Sequence, residues 1–204
     1  MRSLKTAPGS ADGRVRRSEK SREAIVNALF ALVGEGVLQP TAQQVAERAG
    51  VGIRSVFRHF DDMDTLYAAM DARLRTDALP LLREPPAEGS LAERARALAQ
   101  RRARLFERIA PYKRSANVQR WRSPFLSTMH ARLVRELRAD LLRALPELAS
   151  ARAEVIEALD VVASFEGWER LRTDQRLSRE RAEAALAHAV VALAGGDPTG
   201  RRRR

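Results

Sequence analysis

Arg54, Ser55, Arg58 and His59 fall within six residues, set among the apolar Ile53, Val56, Phe57 and Phe60. Arginine can hold guanine O6 and N7 through two parallel hydrogen bonds, and serine can touch a base edge or a phosphate. The chemistry on offer is recognition of nucleic acid, without a bond made or broken. Arg54 points away from the apolar stripe, so it is the candidate base reader, with Ser55 beside it. Arg58 and His59 are candidates for the phosphate backbone, where contacts set register without reading sequence. Gly52 and Ile53, at the start of the same turn, complete the candidate contact set.

Catalysis needs a different constellation, and the sequence offers none. His59, His130 and His188 are scattered without metal-ligand spacing. Asp61, Asp62 and Asp64 lack the glycine and terminal glutamate of a calcium loop, and helix capping accounts for them. Gly34-x-Gly36 has no third glycine and follows a helix, so it is no dinucleotide fingerprint. Cysteine is absent, which removes disulfides, thiolate metal sites and a thiol nucleophile. The expectation is a protein that is no enzyme and carries no cofactor and no metal.

The candidate residues need a scaffold, and residues 41–60 describe one. Thr41 is a good N-cap, and Gln44 three residues on can close a capping box. Val45, Ala46 and Ala49 line one face of the helix that follows. Gly50 can take the positive φ that ends it, and Val51 plugs the turn. A second short helix then carries the polar set, with Ile53, Val56, Phe57 and Phe60 expected to dock into a core. This is helix-turn-helix patterning. Thr41 and Gln43, near the first helix's N-terminus, are further candidate DNA contacts.

The rest of the chain reads as helix throughout, since β-branched and aromatic residues are sparse and no stretch alternates with period two. The fold class expected is all-α, a three-helix DNA-binding domain followed by a second helical domain. Residues 1–17 read as a disordered basic arm, with Arg14, Arg16 and Arg17 as candidate DNA contacts. Residues 18–79 form the helix-turn-helix domain with its connecting helix. Pro80, Pro85-Pro86 and Gly89 mark a boundary, residues 90–194 form the second domain, and 195–204 a disordered basic tail. In the second domain helices are expected over about 90–109 (broken at Pro111), 123–144, 148–173 and 178–194.

The formal charge of +11 favours an anionic partner, but it is unevenly spread. Residues 1–70 hold 10 basic against 8 acidic groups, whereas residues 94–143 hold 14 against 3. A small-molecule pocket is mostly apolar with a few orienting polar groups. Its candidates are Phe106, Tyr112, Trp121, Phe125, Met129, His130, Phe165 and Trp168, with Tyr112, Trp121, Phe125 and Met129 the densest group. The arginine wealth of 94–143 raises an acidic ligand, such as a carboxylate or an acyl thioester, as a second possibility. Val155, Leu159, Val162, Ala182, Ala185, Leu186, Ala189, Val190 and Leu193 form small and apolar stripes suited to a dimer interface, or to a helical hairpin within one chain. No apolar run reaches the ~18–20 residues of a membrane span and no signal-peptide core precedes the first helix, so the location expected is cytoplasmic.

Ala42-Gln-Gln-Val-Ala-Glu-Arg-Ala-Gly-Val51, Phe57-Arg-His-Phe60 and the acidic turn leading to Leu66 resemble the tetracycline-repressor (TetR) family of bacterial transcription regulators over about residues 20–70. Ser164-Phe-Glu-Gly-Trp-Glu-Arg-Leu-Arg172 also looks like a segment found in some members. The resemblance implies an all-helical homodimer, with N-terminal DNA-binding domains and a C-terminal helical ligand-sensing and dimerisation domain, that binds an operator in double-stranded DNA and is released from it by a small-molecule effector. Three positions depart from the family's pattern: Gly52 where serine is frequent, Phe57 where tyrosine is usual, and Met63 where lysine is common. Each departure removes a phosphate contact. A helical interaction or scaffold protein that has lost specific DNA reading is therefore the alternative.

Overall fold

A computed structural model describes residues 9–195, and all regular structure among them is helical. The helices are α1 (Gly9–Gly34), α2 (Ala42–Ala49), α3 (Ile53–His59), α4 (Met63–Asp77), α5 (Leu91–Gln119), α6 (Pro124–Ala144), α7 (Ala153–Val162), α8 (Phe165–Glu169) and α9 (Arg179–Leu193). Short 3₁₀ turns lie at Leu79–Arg83 and Pro146–Ser150, and a wide π-type turn at Arg170–Asp174. No described helix is long and apolar enough to cross a membrane. The helices form two compact units, residues up to Arg73 with Pro111–Leu126, and Leu74–Ala110 with the chain from Ser127 onward.

The first unit buries Ile25, Leu29 and Val33 of α1, Val45 and Ala46 of α2, Val56 and Phe60 around α3, and Leu66, Tyr67 and Met70 of α4. Residues 111–126 complete it: Leu126 is buried, and Tyr112, Ala116 and Phe125 pack at the core's margin. A boundary at Pro80–Gly89 does not anticipate this return of the chain. Polar groups fasten the segment. Ser115 Oγ donates to the Leu38 carbonyl at 2.8 Å, Gln119 Nε2 donates to Tyr67 Oη at 2.6 Å, and Ser123 Oγ donates to the Asp64 carboxylate at 2.9 Å.

Helix boundaries near the N-terminus and at Pro111 differ from those predicted. α1 begins at Gly9, so residues 9–17 are helical where an arm was expected; residues 1–8 lie outside the described part. Arg, Glu and Lys dominate 14–23 and are good helix formers, and Ser18 sits in the helix interior. α5 runs straight through Pro111. Proline costs a helix one hydrogen bond and some steric strain, but Ile109, Lys113 and Ser115 are buried on the flanking turns, and packing there holds the helix. The tail from 196 onward lies outside the described residues.

The second unit is cored by Leu98, Leu105 and Phe106 of α5, Leu137 and Leu141 of α6, Leu159 of α7, Phe165 and Trp168 of α8, and Leu186 and Val190 of α9. One helix was expected over 148–173; α7 instead ends at Val162, and Ser164 caps α8 by accepting from the Gly167 N–H at 3.0 Å. Gly167 makes that turn possible. A Cβ there would stand 2.6 Å from the Val162 carbonyl oxygen, a backbone atom that cannot step aside. Gly167→Ala is therefore expected to destabilise the protein by about 1–3 kcal/mol, as over-packing does. A urea unfolding midpoint equal to wild type would refute this.

Candidate functional site

Thr41 is the N-cap of α2 and forms the full capping box: its Oγ1 accepts from the Gln44 N–H at 3.2 Å, and Gln44 Oε1 accepts from the Thr41 N–H at 2.9 Å. Gly50 ends the helix at φ 66°, a conformation that costs glycine little and other residues more. The turn then delivers α3, whose cap Gly52 offers no side chain. Val56 and Phe60 face the core, and the Arg22 guanidinium lies 5.0 Å from the Phe60 ring centre. Asp62 caps α4 by accepting from the Thr65 N–H at 2.8 Å, which accounts for the acidic turn.

On the outer side of α3, Ile53, Arg54, Phe57 and Arg58 are exposed. The spacing of one and four residues places them side by side on successive turns. Arg54 has no side-chain partner among the described residues, while Arg58 Nη2 donates to Ser55 Oγ at 2.8 Å, which pre-orients the guanidinium. One expectation needs correcting. Phe57 is 49% exposed and is no core residue; Val56 and Phe60 already fill the buried face of so short a helix. His59 is half-buried, and burial, then the charges of Arg58 and Arg22, hold its imidazole below the usual range.

The remaining candidates sit around this face. Gln43 Nε2 donates to Glu47 at 2.7 Å on the exposed side of α2. Arg14, Arg16 and Arg17 are exposed on the N-terminal turns of α1. Arg48, absent from the candidate set, is held by a bidentate pair with Glu35 at 2.6–2.7 Å.

The sequence pattern described as bacterial regulatory proteins, tetR family, matches residues 21–70, the stretch that builds this face. Residues 21–70 thus carry the tetR-family pattern, built here as a helix-turn-helix of α2 and α3. Among solved structures, a transcriptional regulator from Rhodococcus sp. Rha1 is similar at 24% identity and TM-score 0.60, over 84% of this chain and 95% of that one. That likeness extends the fold over the second unit. A TetR transcriptional regulator from Rhodococcus sp. RHA1 aligns at 18% identity and TM-score 0.48, over 85% and 96% of the two chains. No curated protein matches the sequence.

The candidate sensing residues divide between the units. Phe106, Phe165 and Trp168 come together in the second: the Phe106 and Phe165 rings meet edge-on at 5.7 Å, and Trp168 lies 6.4 Å from Phe106. Trp168 Nε1 donates to Glu107 at 3.0 Å, and Arg172 closes on the same carboxylate at 2.7 Å. The Arg172 hydrogen bond, ahead of any other influence, holds the Glu107 carboxyl below its ordinary range. Met129 and His130 are half-buried on α6. Tyr112 and Phe125 pack in the first unit, Tyr112 against Phe30 at 4.7 Å, and Trp121 is 72% exposed. Of the group Tyr112, Trp121, Phe125 and Met129, the first three belong to the first unit and Met129 to the second.

The dimer candidates split by face. Leu159, Ala182, Leu186 and Val190 are buried in the chain's own core, where α7 packs on α9. Val155, Val162, Ala185 and Ala189 are half-buried and Leu193 is exposed. Val161, outside the candidate set, is 70% exposed. Periodicity marks an apolar stripe without saying whether it meets its own chain or another.

The sequence reading also missed Arg101 and Arg102, both buried against Asp140. A signal existed. Arg102 stands in register with Leu98, Leu105, Phe106 and Ile109, the core face of α5.

Proposed function

We propose that this chain is a tetR-family repressor that binds a palindromic operator as a homodimer and is released from it by a small molecule. The observation that carries the reading is the outward face of α3, where Ile53, Arg54, Phe57 and Arg58 are presented on a helix short enough for a major groove. Arg54 reads a base, Arg58 and Ser55 meet the backbone or a base edge, and Arg14, Arg16 and Arg17 supply further phosphate contacts. Phe57 stands where its ring can lie against a thymine methyl. Thr41 and Gln43 flank the groove.

A two-fold axis would place the two reading helices in successive major grooves, about 34–36 Å apart. Val161 on α7 and Leu193 on α9, large apolar residues left exposed, support the pairing, since an isologous interface buries the same apolar surface of each copy. Release follows population shift: the effector binds better to a conformer whose reading helices are wrongly spaced, and its differential affinity sets the loss of DNA binding.

Selection from random duplex DNA at near-physiological salt tests the reading. An enriched palindrome is expected; no enrichment by folded, dimeric protein would overturn it in favour of a scaffold. Arg54→Ala should then lose about 1–3 kcal/mol of discrimination at one base pair per half-site while the protein stays folded. Unchanged preference at every position would remove Arg54 from the reading role.

A further inference from the structure

Inside the second unit, three guanidiniums converge on one carboxylate. Arg101 Nη2 donates to Asp140 Oδ1 at 2.9 Å, Arg143 Nη2 donates to the same oxygen at 2.7 Å, and Arg102 Nη2 stands 3.2 Å from Oδ2. Arg102 and Asp140 side chains are each 1% exposed and Arg101 4%, whereas Arg143 is 43% exposed and reaches in from the surface. The donors exceed the acceptors. Arg102 Nη2 also donates to the Leu137 carbonyl, but Arg102 Nε and Nη1 and Arg101 Nε are buried without a hydrogen bond, against one acceptor, Asp140 Oδ2, that is likewise buried without one.

Such an arrangement is costly unless something answers it. Burying an ion carries a penalty of several kcal/mol, and a buried donor left unmade adds its own desolvation cost. Burial pushes the Arg102 guanidinium down to about 10, yet at neutral pH it remains protonated and cannot shed its charge. Asp160, the other carboxylate whose field reaches Arg102, is already engaged by Arg138 at 3.4 Å. The cluster is short of negative charge, and its three unmade donor nitrogens outnumber the one acceptor oxygen left over.

Its neighbours are apolar. The Arg102 guanidinium lies 5.9 Å from the Phe106 ring centre, and Phe106 leads into the contact with Phe165 and Trp168. We infer that Arg102 and Arg101 form a recognition site for an oxyanion, filled by the carboxylate of a small organic acid whose apolar body lies toward Phe106. The site rests on the effector reading above and gives that effector a chemical class. The carboxylate supplies the two acceptor oxygens and the negative charge that the cluster lacks, in the fork geometry guanidinium favours. An inorganic oxyanion shares the headgroup chemistry but has nothing to offer the aromatic side.

The test follows thermal unfolding of the full chain, free of DNA, against sodium hexanoate, with 1-hexanol and sodium sulfate as matched controls. Hexanoate is expected to raise the midpoint saturably, hexanol to leave it unmoved, and sulfate to act weakly at equal ionic strength. Arg102→Met should keep the fold and weaken the hexanoate response about tenfold or more, the worth of a charge-assisted hydrogen bond. Arg143→Gln, at a partly exposed position, provides a second variant if Arg102→Met does not fold; it should weaken the response in the same direction. An Arg102-dependent sulfate response equal to that of hexanoate would overturn the organic acid as occupant. No saturable response, an equal response to hexanol, or a response that survives in both variants would overturn the site. Because DNA is absent, failure here leaves the operator selection unaffected, and failure of that selection leaves this binding result standing.

Discussion

Phe60→Ala is expected to abolish operator binding by unfolding the N-terminal unit, at a cost of about 3–5 kcal/mol. Phe60 is the residue that closes α3: its backbone N–H caps the helix on the Val56 carbonyl, and its ring is 3% exposed beneath Arg22. Truncation removes a large apolar side chain and leaves a cavity that two short helices cannot collapse around. Domains of this size hold only about 5–15 kcal/mol in reserve. Urea unfolding followed by circular dichroism measures the loss, and a loss below about 1 kcal/mol would show that the ring is not the keystone of α3. Phe57→Ala separates fold from contact at the neighbouring aromatic. That ring is half-exposed, so the variant should unfold near the wild-type midpoint and reveal any change in DNA binding directly.

Asp140→Asn should be the most damaging single change in the second unit, again about 3–5 kcal/mol, the usual result of removing one partner from a buried ion pair. The substitution keeps shape and volume but strips the one carboxylate that Arg101, Arg102 and Arg143 share. Adding Arg102→Met to Asp140→Asn should recover part of the loss, because one of the stranded cations goes with it. Non-additivity of that sign in a double-mutant cycle is the check. Strict additivity would mean that the two residues do not interact through charge.

What the sequence disclosed depended on whether a signal was local. The cap pair Thr41 and Gln44, the left-handed Gly50 and the carboxylate turn before α4 are decided within a few residues, and the structure places them as read. Phe57 was misread because helical spacing alone cannot say how wide a stripe the core will cover; in a seven-residue helix, Val56 and the capping Phe60 suffice. The passage of α5 through Pro111 depends on packing from distant segments, which no local propensity encodes. Arg101 and Arg102 look like solvated surface in an arginine-rich stretch, and only the register of Arg102 with Leu98 and Phe106 hints otherwise.

The return of residues 111–126 into the first unit bears on how such a reading head can be moved between proteins. A fragment ending near Leu79 would lack Leu126, Tyr112 and the Gln119 amide that Tyr67 uses, so apolar surface on α1 and α4 would meet water. The head is therefore not a contiguous cassette. Grafting it onto another protein requires two separate stretches of sequence, the second carried on a helix that begins within the second unit. Recombination that respects only the proline-rich boundary would yield a head without its floor.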